Sequence, residues 1–237
     1  MKKGISILSA LLVLALTSCD DGTIYPRTSS SPEGKVVKLS GTLSGWDEWN
    51  DTYQLVLAGF DDPNAEYASI AKSLPSMDDT DGSVSMVLSG IQDNVSEVRL
   101  CVLDRLNRHI VTFKSVDIKT ATDTVRMEVS NLDIGMFNTI QKEIFSTTCA
   151  NCHGGSGFAA AGLYLTEGRS REALVGVASK KVEGSQLVKP GEAISSLLHL
   201  ALNTEISSTW RYAHMSEVTS TDKLRLIDNW INSLTNE

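Results

Sequence analysis

The chain has 237 residues, with 21 Lys and Arg against 29 Asp and Glu, and a formal net charge of −8. So acidic a chain repels phosphates, which argues against nucleic acid as a partner and suits basic proteins. Beyond residue 19 every apolar stretch is broken by polar or charged residues within a few positions, which excludes a transmembrane helix there.

The first residues, MKKGISILSALLVLALTSCDD, combine two lysines, an apolar run from Ile5 to Leu16 and small residues ending in a cysteine. The run is too short to span a bilayer and reads as a secretory h-region. Leu16-Thr17-Ser18-Cys19 resembles the lipobox of bacterial lipoproteins, which implies a signal peptide over residues 1–18 and lipidation of Cys19. An ordinary signal peptide cut near Ser18, or an uncleaved helical anchor, is the competing reading. Several acyl chains on one residue give a stable hold. The expected location is therefore outside the cytoplasm, tethered to a bacterial membrane and facing the periplasm or the cell surface. Loss of the leader, with Lys2 and Lys3, takes the net charge from −8 to −10.

Residues 19–35 are rich in Ser, Gly, Pro and Asp, the composition of a flexible tether. From 36 to 132 short segments alternate apolar and polar residues: VVKLSGTL, YQLVLAGF, YASIAKSL, SVSMVLSG, EVRLCVLD, HIVTFKSV and DTVRMEVS. Turn signals such as Asp61-Asp62-Pro63-Asn64 and Asp93-Asn94 separate several of them. Seven strands at this spacing predict an antiparallel β-sandwich domain of immunoglobulin or fibronectin type III kind. Cys101, inside EVRLCVLD, reads as core, and His109 as a surface residue. DDTDG at 78–82 has the acidic and glycine content of a calcium loop but not its register, and reads as a hairpin turn.

The period changes at residue 133. Phe137, Ile140, Ile144 and Phe145 recur at helical spacing, as do Leu224, Ile227, Ile231 and Leu234 near the other end. Thr219 with Asp222 reads as a capping box for that last helix. His199 lies in a further helical segment, SSLLHLAL, and reads as a packed residue.

Between the two helices stands Cys149-Ala150-Asn151-Cys152-His153, the C-x-x-C-H pattern of covalent haem attachment. A helical turn brings the two thiols to one side, where they reach the vinyl groups on one edge of a porphyrin, and His153 follows as the proximal iron ligand. Gly154, Gly155 and Gly157 let the chain turn closely around the macrocycle. The other readings are less complete. Structural zinc needs four ligands and no second pair is present; a thioredoxin-like pair calls for a preceding strand; a bare disulfide leaves His153 unexplained. GGSG at 154–157 lacks the lysine of a phosphate loop.

With FNTIQKEIFSTTCANCHG, AGLYLTEG, LVKPGEAISSLLHLAL, RYAHM and LRLIDNWI, residues 133–237 resemble a class I cytochrome c domain. The resemblance implies an all-α fold with one haem c and a methionine on the distal side of the iron. Met215 is the matching position, with the adjacent His214 as the alternative; Ser216 stands where the family has proline. It further implies that Phe145 and Trp230 pack where the terminal helices cross. Pro190 is a candidate for the carbonyl that orients the proximal imidazole. A simple turn proline is its other reading.

The expectation is thus a multidomain chain: an all-β immunoglobulin- or fibronectin-like sandwich followed by an all-α cytochrome c domain. Its activity would be single-electron transfer between redox partner proteins. Two other classes stay open: a haem peroxidase or gas sensor, if the distal position is free, and a glycan- or protein-binding lipoprotein whose cytochrome is accessory.

Overall fold

All seven alternating segments are strands. The computed structural model describes residues 34–76, 81–155 and 157–235. The strands are β1 (Lys35–Ser44), β2 (Tyr53–Phe60), β3 (Ile70–Ser73), β4 (Ser83–Ile91), β5 (Glu97–Asp104), β6 (His109–Asp117) and β7 (Val125–Asp133). They form a three-stranded sheet in the order β4-β1-β7 and a four-stranded sheet in the order β3-β2-β5-β6. The second sheet is antiparallel throughout, but in the first β1 runs antiparallel to β4 and parallel to β7. In β4 every second residue from Val84 to Leu88 is buried, the period expected of a half-buried strand.

Val37, Leu39, Met86, Leu88 and Met127 of the first sheet pack against Leu57, Val98 and Leu100 of the second. The opposite face of the second sheet is also covered. Val56, Ala58, Phe60, Cys101 and Leu103 bury against Ala65 and Ala68 of the β2–β3 connection. Cys101 is fully buried, and burial pushes its thiol up to about 12.

After β7 the backbone becomes helical at α1 (Met136–Ile140), widens into a π-helical stretch (Gln141–Cys149), and ends in α2 (Ala150–His153). The wider turn puts the consecutive residues Ile144 and Phe145 both into the core. Beyond it lie α3 (Ser170–Leu174), α4 (Leu197–Asn203) and α5 (Thr221–Ser233), linked by 3-10 turns and irregular loops. Ser220, not Thr219, caps α5: its hydroxyl accepts from the backbone N–H of Lys223. His199 of α4 reaches Asp228 of α5, Nδ1 to Oδ1 at 2.7 Å.

These elements overturn the expected multidomain arrangement of a β-sandwich followed by an all-α cytochrome domain. The fold is mixed α and β, with seven strands in two sheets and short helices, and the described residues belong to one compact unit. The physical reason is a shared core. Tyr53, Val102 and Val111 of the second sheet bury in one cluster with Met136, Ile140, Phe145, Leu226, Ile227 and Trp230 of the helices. Trp49 Nε1 donates to Ile134 O at 2.7 Å, and Asn229 Nδ2 donates to the Tyr53 hydroxyl at 3.1 Å. The short helices α3 and α4 depend on such packing, since a helix of one or two turns is not stable alone.

His109, expected at the surface, is half-buried. Its ring meets Phe60 edge-on at 5.7 Å, and Nε2 lies 2.7 Å from Thr112 Oγ1. Burial, assisted by the charge of Arg99, pushes its pKa down from 6.5 to about 4. Between those values the unfolded chain holds a proton that the folded chain refuses, so this contribution to stability is complete above pH 6.5 and declines as pH falls towards 4. His109→Gln is expected to flatten the loss of stability between pH 7 and 4.5, read as urea midpoints. Parallel losses in variant and wild type would contradict this.

The signal segment 1–18, Cys19, the tether through residue 33, Met77 and residues 78–80 of the DDTDG turn lie outside the described residues. Among those described, no helix is long and apolar enough to cross a membrane.

Candidate functional site

Cys149, Cys152 and His153 occupy the last turns of the long helical segment, so both thiols and the imidazole leave it within one turn of each other. Cys149 packs against the helical core and Cys152 is exposed; neither forms a disulfide. Burial pushes the Cys149 thiol up to about 11, and the carboxylate of Glu217 adds to the effect. In folded, haem-free protein, iodoacetamide is expected to label Cys152 well before Cys149, and Cys101 only after unfolding. Peptide mass spectrometry reads the order, and simultaneous labelling of all three would contradict it.

The glycines after the motif are required for two different close approaches. A Cβ on Gly154 would lie 2.5 Å from Ala150 O, and one on Gly155 would lie 2.3 Å from Phe158 O. Gly157 faces open space.

His153 Nδ1 lies 3.1 Å from Ala160 O and 3.3 Å from Leu163 O. Two carbonyl acceptors favour a proton on this nitrogen, the tautomer in which Nε2 keeps its lone pair. A ligating histidine held through its other nitrogen has this arrangement. The loop supplying the carbonyls is itself constrained. Ala161 adopts the left-handed conformation at φ 55°, and Leu165 O accepts from the buried Gln141 at 3.1 Å. Ser170 donates its hydroxyl to the same glutamine, tying α3 to the π-helical stretch.

Pro190 does not take the orienting role. It occupies a tight turn in which Glu192 N donates to Lys189 O at 3.0 Å and Gly191 has φ 76°. Proline followed by a left-handed glycine is what a type II turn asks for. The carbonyls that hold His153 come from Ala160 and Leu163, backbone groups with no side-chain signature to reveal them.

His214 lies opposite His153. The ring centres are 6.2 Å apart and the planes differ by 30°. Trp210 and Tyr212 flank His214 edge-on at 6.4 and 5.3 Å, and its backbone N–H donates to Ser207 Oγ at 3.0 Å. Burial lowers its pKa, as does the neighbouring His153, which favours the neutral, ligating form. His214 Nδ1 is buried and has no hydrogen-bond partner. Met215, the next residue, is 40% exposed. Phe158 and Tyr212 are exposed.

The residues fit a covalently held haem: two thiols on one helical turn, an oriented imidazole, and a second imidazole with an unsatisfied buried nitrogen. Zinc has less to bind. Among the described residues no three His, Cys, Asp or Glu side chains cluster so as to hold a metal ion. Phe137 joins the aromatic packing foreseen for Phe145 and Trp230, with its ring 6.3 Å from the first and 4.9 Å from the second. Comparison with models of known protein families finds no match, and neither does comparison with curated proteins.

Proposed function

We propose that the chain is a membrane-anchored, extracytoplasmic monohaem c-type cytochrome that transfers single electrons between redox partner proteins. The observation that carries this reading is the pairing of His153, directly after the two thiols and held through Nδ1 by Ala160 and Leu163, with a second imidazole 6.2 Å away.

Bound haem supplies the one-electron Fe(III)/Fe(II) couple. Cys149 and Cys152 would hold it through thioethers, each thiol adding across a vinyl C=C so that sulfur takes one carbon and the proton the other. His153 would offer Nε2 to the iron while its Nδ1–H stays on the carbonyls of Ala160 and Leu163, and the 3-10 turn His214–Ser216 would bring His214 to the same site. His153 and His214 would both be available to the iron, which favours electron transfer over the peroxidase and sensor readings. Phe158, five residues after His153, and Tyr212, whose ring lies 5.3 Å from that of His214, are exposed and suit brief contact with a partner, and the acidic net charge favours a basic one. Cys19 carries the lipid.

Chain made with a cytochrome c maturation system is expected to keep its haem through acid-acetone extraction and denaturing electrophoresis. Release of the haem would overturn the c-type reading. Cys19→Ser should keep the haem signal and lose the membrane, since lipid and haem use different cysteines. A variant still in the membrane fraction would remove the lipid anchor from the proposal.

A further inference from the structure

We infer that the second axial ligand of the iron is His214 and not the neighbouring Met215. The inference rests on the haem reading above and adds the chemistry of the distal side. With metal–imidazole bonds of about 2.1 Å and roughly 1 Å from each ligating nitrogen to its ring centre, two imidazoles on opposite sides of one metal have centres roughly 6 Å apart. His153 and His214 are 6.2 Å apart, centre to centre.

Three further observations point the same way. A buried ring nitrogen without a partner is costly, and His214 Nδ1 is one of two such side-chain atoms among the described residues. A metal bond at Nδ1 would give that nitrogen the polar partner it lacks. The turn His214–Ser216 is a 3-10 helix, in which successive side chains diverge by about 120°. His214 and Met215 therefore cannot both face His153, and it is the histidine ring that does. Met215 remains 40% exposed, whereas Trp210, Tyr212 and Ser207 hold His214 in place.

A pair of imidazoles stabilises Fe(III) relative to a histidine–methionine pair, which places the protein among lower-potential carriers. The test uses the full chain matured with haem. Oxidised wild type is expected to lack the weak red-end absorbance of sulfur-bound iron, to give the electron paramagnetic resonance of a two-imidazole low-spin haem, and to exclude carbon monoxide. Met215→Leu should keep all three properties and the same potential. His214→Ala should become high-spin and bind carbon monoxide. A red-end band in wild type that Met215→Leu loses, or a His214→Ala protein with the wild-type spectrum, overturns the inference while leaving covalent haem intact. Failure to attach haem at all overturns both it and the function. If His214→Ala does not accumulate, the wild-type spectra and Met215→Leu decide alone.

Discussion

Cys149→Ser/Cys152→Ser is expected to abolish covalent haem completely. Haem staining after denaturing electrophoresis should fall from one haem per chain to none, and each single variant should keep a single thioether. The loss comes from missing attachment chemistry more than from a collapsed fold. Cys152 is exposed, and Cys149 is only partly buried at the edge of the helical core. Circular dichroism of the haem-free double variant should therefore match that of haem-free wild type. A haem that survives denaturation on the double variant would show that attachment lies elsewhere in the chain.

Trp230→Ala is expected to cost about 3–5 kcal/mol, the range for removing a large aromatic side chain from a core. Trp230 is 2% exposed and lies 4.9 Å from Phe137, in the cluster that also takes in Tyr53, Val102 and Val111 of the second sheet. Because sheet and helices bury one another there, the change should lower a single unfolding midpoint, followed equally by a strand-dominated and a helix-dominated signal. Two separated transitions, with only the helical one displaced, would show the halves to be energetically independent.

The strands were legible because a half-buried strand writes its period directly into the sequence: SVSMVLSG alternates, and β4 buries every second residue from Val84 to Leu88. Partner and direction leave no such mark. Nothing in VVKLSGTL or DTVRMEVS states that β1 and β7 run parallel, since that follows from the path of the chain between them. The terminal helices were legible from their 3.6-residue spacing, whereas the mixed architecture was not. Tyr53 and Val111 look like ordinary strand residues until a helix is laid on them.

At the candidate site, Cys149, Cys152 and His153 are contiguous, and their spacing is itself the signal. The groups that orient His153 are carbonyls of Ala160 and Leu163, which every residue possesses, so sequence directed attention to Pro190 instead. Whether His214 or Met215 faces His153 depends on which of two adjacent side chains a 3-10 turn aims inward. That is a matter of backbone rotation and not of residue type.

The most direct test of a covalent monohaem centre is the mass of the intact chain and of its 145–158 region after expression with a maturation system and treatment with an alkylating agent. The expected result is one haem per chain, carried on the peptide containing Cys149 and Cys152, with neither thiol alkylated. A peptide of unmodified mass whose two cysteines are alkylated, or joined as a disulfide, would contradict it.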